Sequence, residues 1–129
     1  MRRLREWLER WGASALLMMA IFALSSRPSD ELPRFGVVDA LIKKSGHVLG
    51  YGLLALSYWR GFGWDRSKMV HAWGLAVAYA ATDELHQAFV PGRHASAVDV
   101  LVFDAVGAAL ALWLRRWRAR HLADSRPSA

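Results

Sequence analysis

Apolar residues gather in four long stretches, near 7–24, 37–59, 68–89 and 97–116, and more than half of the charged residues fall in the short blocks between and beyond them. Each stretch is close to the ~20 residues that a helix needs to cross a hydrocarbon layer. The pattern predicts an all-α chain: a four-helix transmembrane bundle forming one domain over 1–129. The breaks are explicit. Pro28 and Pro33 in SSRPSDELP end the first stretch, and Pro91-Gly92 turns the chain between the third and fourth. The tail after Arg116 is polar and charged and is expected to fray.

Charge assigns the sides. Alternating the segments places twelve of the 17 basic residues, in Arg2 to Arg10, Arg60 to Lys68 and Arg115 to Arg126, on one face, and leaves Arg27, Arg34, Lys43, Lys44 and Arg93 on the other. An excess of Lys and Arg marks the cytoplasmic side, so both termini are expected inside, in a multi-pass protein of a bacterial inner membrane. This accounts for the net charge of +6 without nucleic acid as a partner. All seven tryptophans lie near the same face, where an indole suits the headgroup boundary. The first segment also has the layout of a signal peptide, with a basic start, an apolar run over Ala13 to Leu24 and Ala23-Leu24-Ser25 as a small-x-small site. Glu9 and the early tryptophans favour an uncleaved interfacial anchor. Cysteine is absent, which excludes disulfides and thiolate metal sites.

The densest chemistry is DELHQAFVPGRHASAVDVLVFD, Asp83 to Asp104, at the junction of two apolar segments. Ionisable groups at membrane depth are costly, so several together are expected to pair and to line an interior cavity. At about 1.5 Å rise per residue, Asp83 and Glu84 stand about 22–24 Å along the third segment, level with Lys44 and His47 on the second and Ser96 and Asp99 on the fourth. Lys44, His47 and Tyr51 share a stripe at i, i+3, i+7. Glu84 and Gln87 share a face, as do Ser96 and Asp99. Asp104, five residues past Asp99, falls about 140° away on an α-helix, so it need not join this cluster and has the first helix as an alternative neighbour. Arg93 is expected over the mouth of an external pocket. Small-residue pairs, Gly46 with Gly50, Ala72 with Ala76 and Ala80, and Gly107 with Ala111, are expected to let helices approach closely, within the chain or between copies of it.

KSGHVLGYGLL, DELHQAFVPGRHASAVDV and the following DAVG together resemble the VanZ-like family over about 37–107. Its pattern of Lys and His three apart, a Tyr four later, acid-Glu-x-x-Gln, Pro-Gly-Arg, Ser and Asp falls on Lys44, His47, Tyr51, Glu84, Gln87, Arg93, Ser96 and Asp99. Lys43 stands where the family often has Asp, and Asp104 where it often has Asn. The resemblance implies a small helical membrane protein of the bacterial cell envelope. The family's founding member is associated with low-level resistance to the lipoglycopeptide teicoplanin, which makes a glycopeptide-resistance role and a lipoglycopeptide partner candidates here.

Three uses of these residues stay open. An embedded site acting on a lipid-linked anionic substrate, such as a cell-wall intermediate, would take His47 as general base or nucleophile with Glu84 or Asp99 fixing its tautomer. Arg93 and Lys44 would hold the anion, with Tyr51, Gln87 and Ser96 lining the site. A non-catalytic binder or assembly factor would use the same cations for affinity alone. A purely structural network would spend them on helix packing. A metal on His47, His86, Glu84 and Asp99 is a minor alternative, since no HExxH pair is present, and no cofactor motif appears.

Overall fold

The computed structural model describes residues 1–28, 37–92 and 96–124. Among these are four α-helices and no strand: α1 (Arg2–Ser25), α2 (Val37–Gly61), α3 (Met69–Gln87) and α4 (Ala105–Asp124). A 3-10 turn, Arg66–Lys68, leads into α3, and a π-wound turn, Asp99–Asp104, leads into α4. Each apolar stretch contains one of the four helices. α1 and α4 run further at their basic ends, and α4 starts at Ala105 and not near 97, because the π turn takes up the first part of the fourth stretch. Only α1, among the described residues, is both long and apolar enough to cross a membrane on hydropathy alone. α2 and α3 carry their apolar residues interleaved with polar ones.

Helix α2 packs against α1, α3 and α4, and α3 also meets α1 and α4. The closest seam is α2 on α4. A Cβ on Gly107 would lie 2.7 Å from the Val48 carbonyl oxygen, and one on Gly52 would lie 3.2 Å from the Ala111 Cβ. Gly107 and Ala111 thus act as their spacing predicted, with Gly52 of α2 opposite, and the Gly46 and Gly50 pair does not. Among the described residues nothing lies within 4 Å of a Gly46 Cβ, and a Gly50 Cβ would meet Ile21 only at ordinary contact distance. Ala72, Ala76 and Ala80 are all buried, as their stripe predicted. Small residues at such seams let backbones come close enough for dispersion to act along their whole length.

Polar side chains share the interior with an apolar core, and many large apolar ones stay outside it. Asp83, Glu84, Gln87, Asp104, Ser14, Ser25 and Ser57 are buried. Large apolar side chains point outward on every helix, among them Leu16 and Met19, Leu49 and Leu53, Leu75 and Leu85, and Leu110 and Leu114. The buried serines are paired. Ser57 spends its one proton on the Leu54 carbonyl at 2.7 Å, so Ser14 is the donor in the 2.9 Å contact between their hydroxyls.

Helix α2 ends in a Schellman motif. Gly63 takes a φ of 70°, its N–H donates to the Arg60 carbonyl at 2.9 Å, and the Trp64 N–H donates to the Trp59 carbonyl at 3.0 Å. The accompanying apolar contact is an edge-to-face Trp59–Trp64 pair at 5.3 Å. Trp59 itself is buried, with its indole N–H on the Asp65 carbonyl at 2.7 Å, so this tryptophan belongs to the core and not to an outward belt. Asp65 caps the 3-10 turn. The hydroxyl and backbone N–H of Ser67 both donate to it, which holds its carboxyl below the usual carboxylate range.

Gly107→Ala is expected to lower stability by about 1–3 kcal/mol, because the new methyl meets backbone that cannot step aside. Gly46→Ala meets open space and is expected to be neutral or stabilising by up to about 1 kcal/mol through helix propensity. Thermal unfolding of the two purified variants checks both signs.

Candidate functional site

The polar residues gather at the end of the molecule where α1 stops, α3 stops and the π turn begins. Their centre is Asp83, which is 3% exposed. Its Oδ2 accepts hydrogen bonds from the Ser25 hydroxyl at 2.8 Å, the Tyr51 hydroxyl at 2.9 Å and Gln87 Nε2 at 3.0 Å. The second N–H of Gln87 reaches the Ser25 Oγ at 3.3 Å, so one amide group serves both acceptors. Donors from α1, α2 and α3 thus converge on a single carboxylate oxygen. Asp83 Oδ1 has no partner among the described residues.

A second cluster lies beside this hub. His47 Nδ1 stands 3.2 Å from Asp104 Oδ1. Asp104 is 2% exposed, whereas a quarter of the His47 side chain remains accessible. With the carboxylate accepting, Nδ1 carries the ring proton and a neutral imidazole keeps its lone pair at Nε2. One helical turn away, the Lys44 ammonium lies 4.4 Å from the centre of the Phe103 ring, a cation–π distance. The π turn makes both contacts. Its i→i+5 winding rotates Phe103 and Asp104 away from the positions that α winding would assign, toward α2 and not α1. Asp104 therefore joins the cluster on the α2 side and does not face α1. Among the described side chains it is the carboxylate within hydrogen-bonding distance of His47 Nδ1.

Each sequence-chosen residue has a definite location or falls outside the described set. Tyr51 is 1% exposed and Gln87 is buried, and both face Asp83 rather than open space. Glu84 is buried, and its Oε1 accepts from the Ser96 backbone N–H, which ties the entry of the π turn to α3. Ser96 therefore contributes its backbone there. Asp99 opens the π turn, but its side chain, like all of Arg93 and His94, lies outside the described residues. His86 is separate. It stacks on Phe22 at 4.5 Å and its Nε2 lies 3.0 Å from the Ser26 hydroxyl, whose own proton goes to the Phe22 carbonyl. No group of three metal-binding side chains forms among the described residues.

Sequence reasoning missed Asp83, Asp104 and Ser25 as members. Asp83 was visible as the acid preceding Glu84, and its i, i+4 relation to Gln87 is the signal that identifies it. Ser25 gave no such signal, because it sits in the serine-rich end of the first segment.

Asp83→Ala leaves three buried donors without their acceptor and is expected to cost about 1–3 kcal/mol, visible as a lower unfolding midpoint. His47→Ala removes a partly exposed ring and is expected to cost less than Asp83→Ala in the same measurement.

Comparison with known proteins agrees with the motif. A family model described as VanZ/LLP1 matches residues 6–119. No curated protein and no solved structure matches the chain. With most of its length inside that match, the chain belongs to the VanZ/LLP1 family.

Proposed function

We propose that this protein is a multi-pass inner-membrane protein of the bacterial envelope that recognises an anionic, lipid-linked substrate at its external side through His47 and Lys44. The observation that carries this reading is the His47–Asp104 pair, with a buried carboxylate behind a partly exposed imidazole. Such a pair fixes the tautomer and leaves the second ring nitrogen available to a phosphate oxygen or a transferable proton. Lys44 adds an exposed cation one turn away, and Arg93, from the same motif, is the further candidate for the anion.

The membrane setting is supported by the outward apolar side chains on all four helices, the inward polar groups, and the tryptophans and excess of basic residues near one face. Helices with buried carboxylates fall short on average hydropathy and yet suit lipid when those groups face inward. A transfer reaction at phosphate or at an acyl carbonyl fits His47 as base or nucleophile. Binding without turnover fits the same geometry, and so does a lipoglycopeptide as the ligand in a teicoplanin-resistance role.

A structural role for the Asp83 hub is favoured by its own geometry, since Tyr51, Gln87 and Ser25 all face the carboxylate. The two roles divide the motif. Asp83 and its donors position α1, α2 and α3, while His47, Asp104 and Lys44 form the face toward substrate.

Two measurements test this. In detergent, undecaprenyl-linked lipids are expected to raise the unfolding midpoint of the wild type, and His47→Ala and Lys44→Gln are expected to lose that rise, each measured against its own ligand-free midpoint. Equal responses in wild type and both variants would overturn the assignment. For the membrane setting, the chain has no cysteine, so single replacements report cleanly. In intact cells Ser29→Cys is expected to react with an impermeant maleimide, and Ser125→Cys only after permeabilisation. Labelling of both in intact cells would sink the four-pass topology with termini inside.

A further inference from the structure

At the end of the molecule opposite Asp83 lies a cleft of about 410 Å³ between the first turns of α1 and the end of α2. Arg10, Arg60 and Lys68 line it, over a floor made by Trp11 and Phe62, whose rings meet edge to face at 5.1 Å. Gly61 makes room for that floor, because a Cβ there would lie 2.7 Å from the Trp11 ring. The Schellman motif that follows Gly61 fixes the far wall, and the Arg60 guanidinium is braced by a 3.2 Å hydrogen bond to the Arg10 carbonyl. The cleft is thus built from fixed backbone, a ring pair and a braced guanidinium.

Its cations outnumber its acids. Among the described residues none of Arg10, Arg60 and Lys68 is within ion-pair distance of a carboxylate. The one acid in the lining, Asp65, feels the Lys68 charge and so offsets part of it, while its Oδ1 is held by the N–H and hydroxyl of Ser67, both at 2.8 Å. Glu6 and Glu9 face Arg2 and Arg5 along α1 instead. Three cations converging on a concave aromatic floor match a phosphate ester that carries an apolar body. From the cleft, α1 continues with the exposed apolar side chains Leu16 and Met19.

We propose that this cleft binds the phosphate of an anionic phospholipid of the inner leaflet, a second lipid site distinct from the His47 face. The proposal rests on the multi-pass topology above, and the cysteine labelling tests that topology separately. A phosphodiester seats between Arg10, Arg60 and Lys68, its glycerol lies on Trp11 and Phe62, and its acyl chains leave along α1.

The test titrates phosphatidylglycerol into full-length protein in phosphatidylcholine mixed micelles and follows the unfolding midpoint. Wild type is expected to be stabilised by phosphatidylglycerol, and not by added phosphatidylcholine or by inorganic phosphate at the same concentration. Arg10→Gln/Lys68→Gln is expected to unfold normally without lipid and to need about 25-fold more phosphatidylglycerol, about fivefold for each lost cation. Arg118→Gln/Arg120→Gln removes equal charge from the exposed end of α4 and is expected to respond as wild type. His47→Ala is expected to keep the phosphatidylglycerol response, while Arg10→Gln/Lys68→Gln keeps the response to undecaprenyl-linked lipid, so the two sites fail independently. Three results would overturn the proposal: no phosphatidylglycerol effect, an equal effect of inorganic phosphate, or equal losses in the two double variants.

Discussion

A carboxylate taken out of water must find donors, and in this chain Oδ2 of Asp83 finds them on three helices at once. That convergence places the end of α1, the middle of α2 and the last turn of α3 relative to one another. The dispersion contacts along the α2–α4 seam have no such directional content. They bring helices together through Gly52 and Gly107, and the hydrogen bonds at Asp83 fix how far each helix slides along its neighbours. Tyr51 links the two kinds of contact, since its ring belongs to the apolar core and its hydroxyl to the hub.

Much of this was legible in the residues. Long apolar stretches gave four helices, and the alanine stripe of α3 gave its buried face, because both depend on a period that a sequence displays directly. Lys44, His47 and Tyr51 share a side of α2 as their spacing required. Partner choice was less legible. Gln87 was grouped with Glu84 by their i, i+3 spacing, yet its amide turns to Asp83 at i, i+4, and the two alternatives differ by one residue of rotation. Gly46 and Gly50 have the spacing of a close-approach motif but face open space or Ile21, whereas Gly107 and Ala111, with the same spacing, do form the α4 side of the seam, and only their partner on α2, Gly52, had no spacing to reveal it. The π turn was invisible for a similar reason, as DVLVFD contains nothing that forbids α winding.

The two ends of the molecule use charge in opposite ways. At one, acids are buried and neutral donors surround them, leaving an imidazole and an ammonium to face outward. At the other, acids engage their own turns and cations remain around a cleft. The two ends therefore offer different chemistry to whatever meets them, directional hydrogen bonding at one and an excess of positive charge at the other.

The π turn over Asp99–Asp104 is in effect one residue inserted into a helix, and it shifts the helical phase by about 100°. Side chains before it and after it are therefore assigned to faces by two separate registers. From Asp104 onward one register holds, in which Asp104, Ala108 and Leu112, at i, i+4 and i+8, are buried on one face while Leu110 and Leu114 point outward. The carboxylate that meets the histidine and the side chains that fill the core therefore share a single phase, set by the inserted residue ahead of them, and removing that residue would turn both away together.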